Sequence, residues 1–437
     1  AGSRLILSGD NEYTGITYLN GGILRAQDNP KALGASTATN ALQLYQGTYM
    51  ELAGDTGVNF GRNTWLMGAN NQSVYITSDR NTPGEGVTHS LGSLIIGSRT
   101  LFIVGGTNVR SGVAGVKFGA VALTNYVYFA VTNTAPGATT LLELGDITID
   151  INNSITYFRG NGDARINGNL GSGAVKSGHL YKYEAGTLTL AGANEYTGYT
   201  RINGGRIVLS NERAAQHSAV SNYAADGLAF GEGTAFTIGA LAGSGSIALS
   251  NAAGEGVTLA IGNNNISNIS YTGLFSGPGG VKKIGTGTQI LANVTLAQYE
   301  GNTEVSGGIL QINTNFLSAS GDVILAAPGR LFLNFRATNA VRYLYVDGAK
   351  CFGGLYHSNN LPDHIMGTGV LLTEDPPELL CKVQPDKTMG DISEWFTYSG
   401  LYSGANTNII AYAWDLNDDG TTDSTGPTVS RQYPASG

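Results

Sequence analysis

Charge is scarce in this sequence. Asp, Glu, Lys and Arg together make up 13% of 437 residues, against about a quarter in an ordinary globular domain. With 24 cationic and 32 anionic side chains, the formal charge of −8 leaves no basic footprint. A nucleic acid or an anionic membrane surface would have nothing to hold, so neither is expected as a partner. Runs of about 18 apolar residues are absent as well, which excludes a spanning helix and membrane insertion by this segment. No charged-then-apolar leader opens the chain; an exported protein would have lost it. Cysteine is limited to Cys351 and Cys381. In an oxidising compartment the two would pair as a disulfide, in a reducing one they would be buried thiols, and the sequence leaves both open. The five histidines (His89, His179, His217, His357 and His364) are scattered, with no second His or Cys at ligand spacing, so no metal site of that type is expected.

Glycine, by contrast, is abundant, at 64 residues. Nine of these glycines belong to a phrase that returns three times. Tyr13, Gly15 and the pair Gly21-Gly22 recur as Tyr196, Gly198 and Gly204-Gly205, and again as Tyr299, Gly301 and Gly307-Gly308. In each copy the Tyr precedes the first Gly of the pair by eight residues, and a Thr stands four residues after the Tyr (Thr17, Thr200, Thr303). Internal similarity of this kind marks a chain built by stacking one supersecondary unit. The intervals between copies are much longer than one such unit, so the phrase marks selected coils rather than every coil.

The rest of the chain reads as strand. In Asp146-Ile-Thr-Ile-Asp150-Ile151 the alternation puts Ile147, Ile149 and Ile151 on one face and Asp146, Thr148 and Asp150 on the other. Leu188-Thr-Leu190, Ile309-Leu-Gln-Ile312 and Val323-Ile-Leu325 repeat the pattern, and turns such as Gly243-Ser-Gly245 and Gly277-Pro-Gly-Gly280 punctuate it. No long helix is expected; Asn211–Gln216 reads as a single turn. Strands about 4.8 Å apart in coils of roughly 20–25 residues would build a rod about 70–90 Å long from residues 1–373. The expected fold is all-β: a right-handed parallel β-helix.

The stretch Gly171-Ser-Gly-Ala-Val-Lys176-Ser-Gly178, followed by Gly186-Thr-Leu-Thr-Leu190, Gly192-Ala-Asn-Glu-Tyr-Thr-Gly198 and Asn203-Gly-Gly205, resembles the autotransporter-associated β-strand repeat of bacterial passenger domains. Gly277-Pro-Gly-Gly-Val-Lys-Lys283 through Gly308 is similar, without the Asn two places before the Tyr, and Leu344 to Leu372 resembles the terminal rungs of such repeats. The resemblance implies a secreted or surface-displayed protein, often an adhesin, and says little about chemistry. No C-terminal outer-membrane barrel is recognisable here, so self-export does not follow.

After Thr373 the texture changes. An acidic, Pro-containing linker over 374–380 leads into 381–437, where Ala411-Tyr-Ala-Trp414-Asp-Leu-Asn-Asp-Asp-Gly420 and Arg431-Gln-Tyr433 look like part of a polycystic-kidney-disease-type immunoglobulin-like β-sandwich. That resemblance implies a spacer or binding module with Trp414 in its core and a last strand missing, hence an open edge able to accept another strand. Copies of this chain, or adjoining segments of a longer one, are the expected partners, and surface glycans the alternative. Within this segment Asp415, Asn417, Asp419 and Asp423 alternate oxygen ligands around Gly420, as a Ca²⁺ loop requires, though without the bidentate Glu of an EF-hand. A polar hairpin turn uses the same residues.

Parallel β-helices also host polysaccharide-cleaving enzymes, which makes Asp146, Asp150 and Glu143 the carboxylates to weigh. No GxSxG, HExxH or P-loop pattern accompanies them, and no helix follows the Gly-rich turns to hold phosphate. The sequence therefore predicts an extracellular structural or adhesive scaffold without catalytic residues, and a glycan-binding adhesin as the alternative.

Overall fold

The computed structural model describes residues 3–35, 41–68, 72–292, 298–373, 382–385, 395–401, 414, 422–426 and 428–432. Among these residues there is no helix, and the chain from Arg4 to Thr373 winds into a β-solenoid of about 13 turns. Each turn lays two or three strands on different faces, and strands of successive turns pair in parallel. Thus Arg99–Gly105 lies between Gln72–Asp79 and Val127–Thr132, with Leu101 opposite both Val74 and Phe129. Register is held because one slipped residue would turn every buried side chain outward.

The core is a set of columns running along the solenoid. Leu24, Met50, Ile76, Ile103 and Val131 stand in register and are fully or almost fully buried. Ile147 and Ile149 are buried as the alternation predicts, whereas Ile151 is exposed, because the strand ends at Ile149 and the chain turns away. Asn211 to Ala214 forms the expected turn, closed by the Ala214 N–H donating to the Asn211 carbonyl at 3.0 Å.

The coils come in two widths. Along the large sheet, from Ile23 to Thr156, successive partners are separated by 26 to 29 residues, as in Ile23 opposite Tyr49 and Val127 opposite Thr156. From Leu180 onward most are 20 or 21 residues apart, as in Leu180 opposite Thr200 and Thr288 opposite Ile309. The wide coils use up chain without adding height. At ~4.8 Å per rung, about 13 turns give a solenoid near 60 Å, shorter than the sequence-based expectation. The large sheet continues past residue 230 because Ala235–Gly243 is long enough to pair with Ala215–Asn222 at one end and Thr258–Ile261 at the other.

The strands Lys382–Pro385, Trp395–Leu401 and Thr428–Gln432 form one antiparallel sheet. Trp414 bridges Ser424 in antiparallel fashion and donates its indole N–H to the Gly426 carbonyl at 2.8 Å. No second sheet that would complete a sandwich is present among the described residues.

Candidate adhesive face and the repeated phrase

In the two interior copies the repeated phrase is a clip between coils. Tyr196 and Tyr299, 1% and 3% exposed, point inward, and their hydroxyls bond Thr200 Oγ1 at 2.5 Å and Thr303 Oγ1 at 2.6 Å. In the second copy the Thr200 hydroxyl meets Ser218 Oγ at 2.8 Å, and Ser218 in turn donates to the Gly198 carbonyl at 2.6 Å, joining one coil to the next. These tyrosines are structural, since a buried phenol must find a partner within the protein.

The glycines explain themselves by contact. A Cβ on Gly198 would lie 2.1 Å from the Gly178 carbonyl oxygen of the preceding coil, and one on Gly301 would lie 2.5 Å from the Gly279 backbone. Gly205 and Gly308 have φ of 64° and 57° and meet preceding carbonyl oxygens at 2.3 Å, a combination open only to glycine. Beneath each Gly pair sits a buried lysine. Lys182 Nζ donates to the carbonyls of Tyr183 at 2.7 Å and Glu184 at 2.9 Å. Lys283 Nζ donates to those of Gly285 and Gly307, each at 3.2 Å, and also to Ile284. Burial lowers both ammonium pKa values to about 8.

The first copy differs. The Tyr13 hydroxyl accepts from Thr17 Oγ1 at 3.1 Å, but Tyr13 is 39% exposed. Fully buried Arg62 takes the place of Ser218: its guanidinium donates to the carbonyls of Gly15 at 3.1 Å and Ala35 at 2.7 Å and to Thr17 Oγ1 at 3.3 Å.

Sequence reasoning missed the lysines, although each stands at an inward position of an alternating strand (Leu180-Tyr-Lys182, Val281-Lys-Lys283). The partner of the Asn in the phrase was likewise not visible in the sequence. Asn11 and Asn194, two places before the Tyr, donate to the carbonyls of Ala32 and Ala214 in the following coil, each at 2.8 Å. Those alanines close Asx turns in which Asn29 and Asn211 accept from the backbone N–H two residues on.

The surface feature with binding chemistry lies on the outer face of the large sheet. Tyr49, Tyr75 and Phe102 stand opposite one another on consecutive rungs, with ring centroids 4.7 Å apart in both steps. Two positions along the strands, Tyr128 and Tyr157 continue at 4.2 Å, and Tyr181 meets Tyr157 edge-on at 5.5 Å. Arg159 lies 4.6 Å over the Tyr128 ring. Tyr126 and Tyr199 flank the row and are exposed, Tyr199 stacked on His179 at 5.4 Å. Along the ladder the ring faces are turned to each other, so edges and hydroxyls are what solvent meets. Burial, reinforced by Tyr128, pushes the Tyr157 phenol up to about 12, so its hydroxyl stays neutral through ordinary pH.

The remaining candidates fall elsewhere. Glu143 accepts from Asn167 Nδ2 at 2.8 Å, the exposed Asp146 accepts from the Asn169 N–H at 2.8 Å, and Asp150 is exposed on the turn after Ile149. These carboxylates are occupied as turn acceptors or solvated and are not gathered into one cleft. Asp423 is exposed, and its backbone N–H donates to the Trp414 carbonyl at 2.6 Å. Asp415, Asn417 and Asp419 lie outside the described residues, as does Cys381. Cys351 is half-buried against the core, and burial raises its thiol pKa.

Three segments, 2–26, 180–209 and 281–312, match the passenger-associated-transport-repeat family, and each contains one copy of the phrase. A stretch of 138 residues, 31% of the chain, is 33% identical to the adhesin BmaC autotransporter of Brucella suis biovar 1 (strain 1330). The chain spans only 4% of that relative's length. No solved structure matches. The chain thus carries three repeats of the kind associated with autotransporter passengers, set into separate stretches of a parallel β-solenoid.

Proposed function

We propose that this chain is part of an extracellular, surface-displayed adhesive scaffold. The observation that carries the reading is the passenger-type repeat, present three times within a predominantly parallel solenoid and accompanied by local identity to an adhesin. A solenoid of this kind does mechanical work: each coil binds only its neighbours, stability grows with the number of coils, and the surface is held at a fixed spacing away from its point of attachment. Display of residues 1–437 on a non-adherent bacterium tests it. Attachment to host cells or matrix several-fold above the same display with a scrambled passenger supports the reading; attachment at the level of that control overturns it.

A glycan-binding adhesin is the second reading, favoured by the outward aromatic row. The ladder rings already stack on each other, so sugar contacts would fall on Tyr126, on the outer face of Tyr49 and on the phenol hydroxyls. A glycan array whose signal disappears with Tyr49→Ala and Tyr126→Ala supports this version; a blank array in a chain that still mediates adhesion rejects it. Calcium bound through Asp415, Asn417, Asp419 and Asp423 would stiffen the C-terminal segment, and a melting temperature unchanged by chelator speaks against it.

A further inference from the structure

One face of the solenoid is interrupted in mid-course, and the interruption opens a groove. The seven-stranded sheet that starts at Gly84–Ser90 ends at Leu228–Phe230, and the next strand beside it, Ile247–Ala248, opens a separate three-stranded sheet with Phe275–Gly277 and Gln298–Tyr299. The two coils still touch on either side of the break. A Cβ on Gly245 would lie 2.0 Å from the Ala224 carbonyl oxygen, and the Ala252 N–H donates to the Gly231 carbonyl at 3.0 Å. Between those points side chains replace the missing ladder. Asn222 Nδ2 donates to the Ser246 carbonyl at 2.9 Å, and the Ser246 hydroxyl donates to Asp226 Oδ1 at 2.9 Å while accepting from the Asp226 N–H at 3.0 Å.

The groove along this break holds about 730 Å³, within the ~300–1,000 Å³ usual for small-molecule sites. Its floor is flat and made of small side chains. Val208 and Ala229 stand opposite each other on neighbouring rungs and Ala248 continues them across the break, all three half-buried and turned outward between buried neighbours. Charged groups stand around the floor with capacity to spare. Arg206 is exposed, and its guanidinium has no hydrogen-bond or ion-pair partner among the described residues. Arg165 commits only its Nε, to Asn167 Oδ1 at 2.7 Å. The exposed Glu232 carboxylate is likewise unpartnered among the described residues, and Asp226 has one oxygen free. Two cations and two anions thus line one groove without neutralising each other.

We propose that this groove binds a saccharide unit that carries a carboxylate. The Arg206 and Arg165 guanidinia hold the carboxylate, for which their planar fork of donors is matched. Glu232 and Asp226 accept from ring hydroxyls, and the floor of Val208, Ala229 and Ala248 lies under the apolar face of the ring. Other ligand classes fit less well. A doubly charged phosphate would meet the two carboxylates as well as the arginines, and a metal cation would meet the arginines. A peptide read through its side chains needs deep pockets, which Ala and Val do not provide. One added as a strand needs a longer edge than the three residues of Leu228–Phe230. The groove lies on a different sheet from the outward aromatic row and shares with the glycan reading only the kind of ligand. It holds or fails without cell attachment.

The test uses the chain of residues 1–437 and saturation-transfer NMR with calorimetry. The probes are uronic-acid and sialic-acid oligosaccharides, each beside its methyl ester, and a zwitterionic peptide of similar size. At least one acid saccharide should bind, and its methyl ester should bind about tenfold or more weakly, because esterification removes a charge-assisted contact and leaves the ring intact. Arg206→Ala, a change at an exposed position, should reproduce that loss without shifting the melting temperature. Ala229→Phe, which fills the floor from outside, should abolish binding, while Tyr49→Ala leaves it unaltered. Any of five results would overturn the proposal: no acid saccharide binds, acid and ester bind alike, Arg206→Ala leaves the affinity untouched, the loss falls on Tyr49→Ala instead, or only the peptide binds. The fourth would move the ligand to the aromatic row, and the last would give the groove to a protein partner.

Discussion

The wide coils of residues 23–159 and the narrow coils of residues 179–312 solve the same stacking problem by different means. In the wide region the strands are long, seven residues in Arg99–Gly105 and nine in Val109–Lys117, and stability comes from an extended ladder with aromatic rings stacked on its outside. In the narrow region most strands have only three or four residues, such as Thr200–Ile202 and Arg206–Leu209, with Ala215–Asn222 and Ala235–Gly243 the long exceptions. So short a ladder holds register poorly, and specific contacts compensate: buried Tyr–Thr pairs, lysines under Gly pairs, and asparagines reaching into the next coil. The phrase is what a β-solenoid uses where its strands are short.

The comparison breaks hardest at the narrow coils. Gly198→Val places a side chain 2.1 Å from the Gly178 carbonyl and should cost about 3 kcal/mol or more, seen as a fall in the urea midpoint, while Gly15→Val costs nothing measurable in the same chain. Tyr196→Phe removes the buried Tyr196–Thr200 hydrogen bond, leaving the Thr200 hydroxyl its Ser218 contact, and should cost about 1–1.5 kcal/mol. The equivalent Tyr13→Phe, at a partly exposed site, should stay within about 0.5 kcal/mol; equal losses would mean that burial does not set the value of the clip.

The buried lysines make a pH prediction with a definite sign. Lys182 and Lys283 have folded pKa values lowered to about 8 by burial, against an ordinary lysine value of 10.5. Between about pH 8 and pH 10.5 the unfolded chain therefore binds more protons than the folded one, so stability rises with pH across that window; below it both states are protonated and the slope vanishes. Urea midpoints at pH 7.5 and 9.5 measure the rise, and the double variant Lys182→Met, Lys283→Met should flatten it. The smallest effect belongs to the wide coils: Tyr157→Ala removes a ring stacked on Tyr128 and should cost about 1 kcal/mol, spread over a ladder that remains paired. A larger loss than for Tyr196→Phe would reverse the ranking of the two regions.

Much of the scaffold was legible. Alternation found the strands, the spacing of Tyr196, Thr200 and Gly205 located a clip, and the turn at Asn211–Gln216 stood where expected. Coil width was not legible, because residues looped between faces of a wide coil carry no period. The roles of Lys182 and Lys283 were hidden for a different reason: a cation on a strand reads as solvent-facing until the carbonyls that receive it are known. The outward aromatic row was invisible because Tyr49, Tyr75 and Phe102 are separated by more than 20 residues each and meet only through register.

By itself the sequence determined the class of fold and the kind of unit it repeats, since two-residue alternation and glycine spacing are local properties that survive without any knowledge of the partner strand. Which tyrosines are buried and which glycines touch backbone were decided only by tertiary structure. The same five letters, Asn-Glu-Tyr-Thr-Gly, are an exposed edge at residues 11–15 and a buried clip at residues 194–198. What separates them is the presence of a coil on the other side, and desolvation and steric contact act only once that coil is in place.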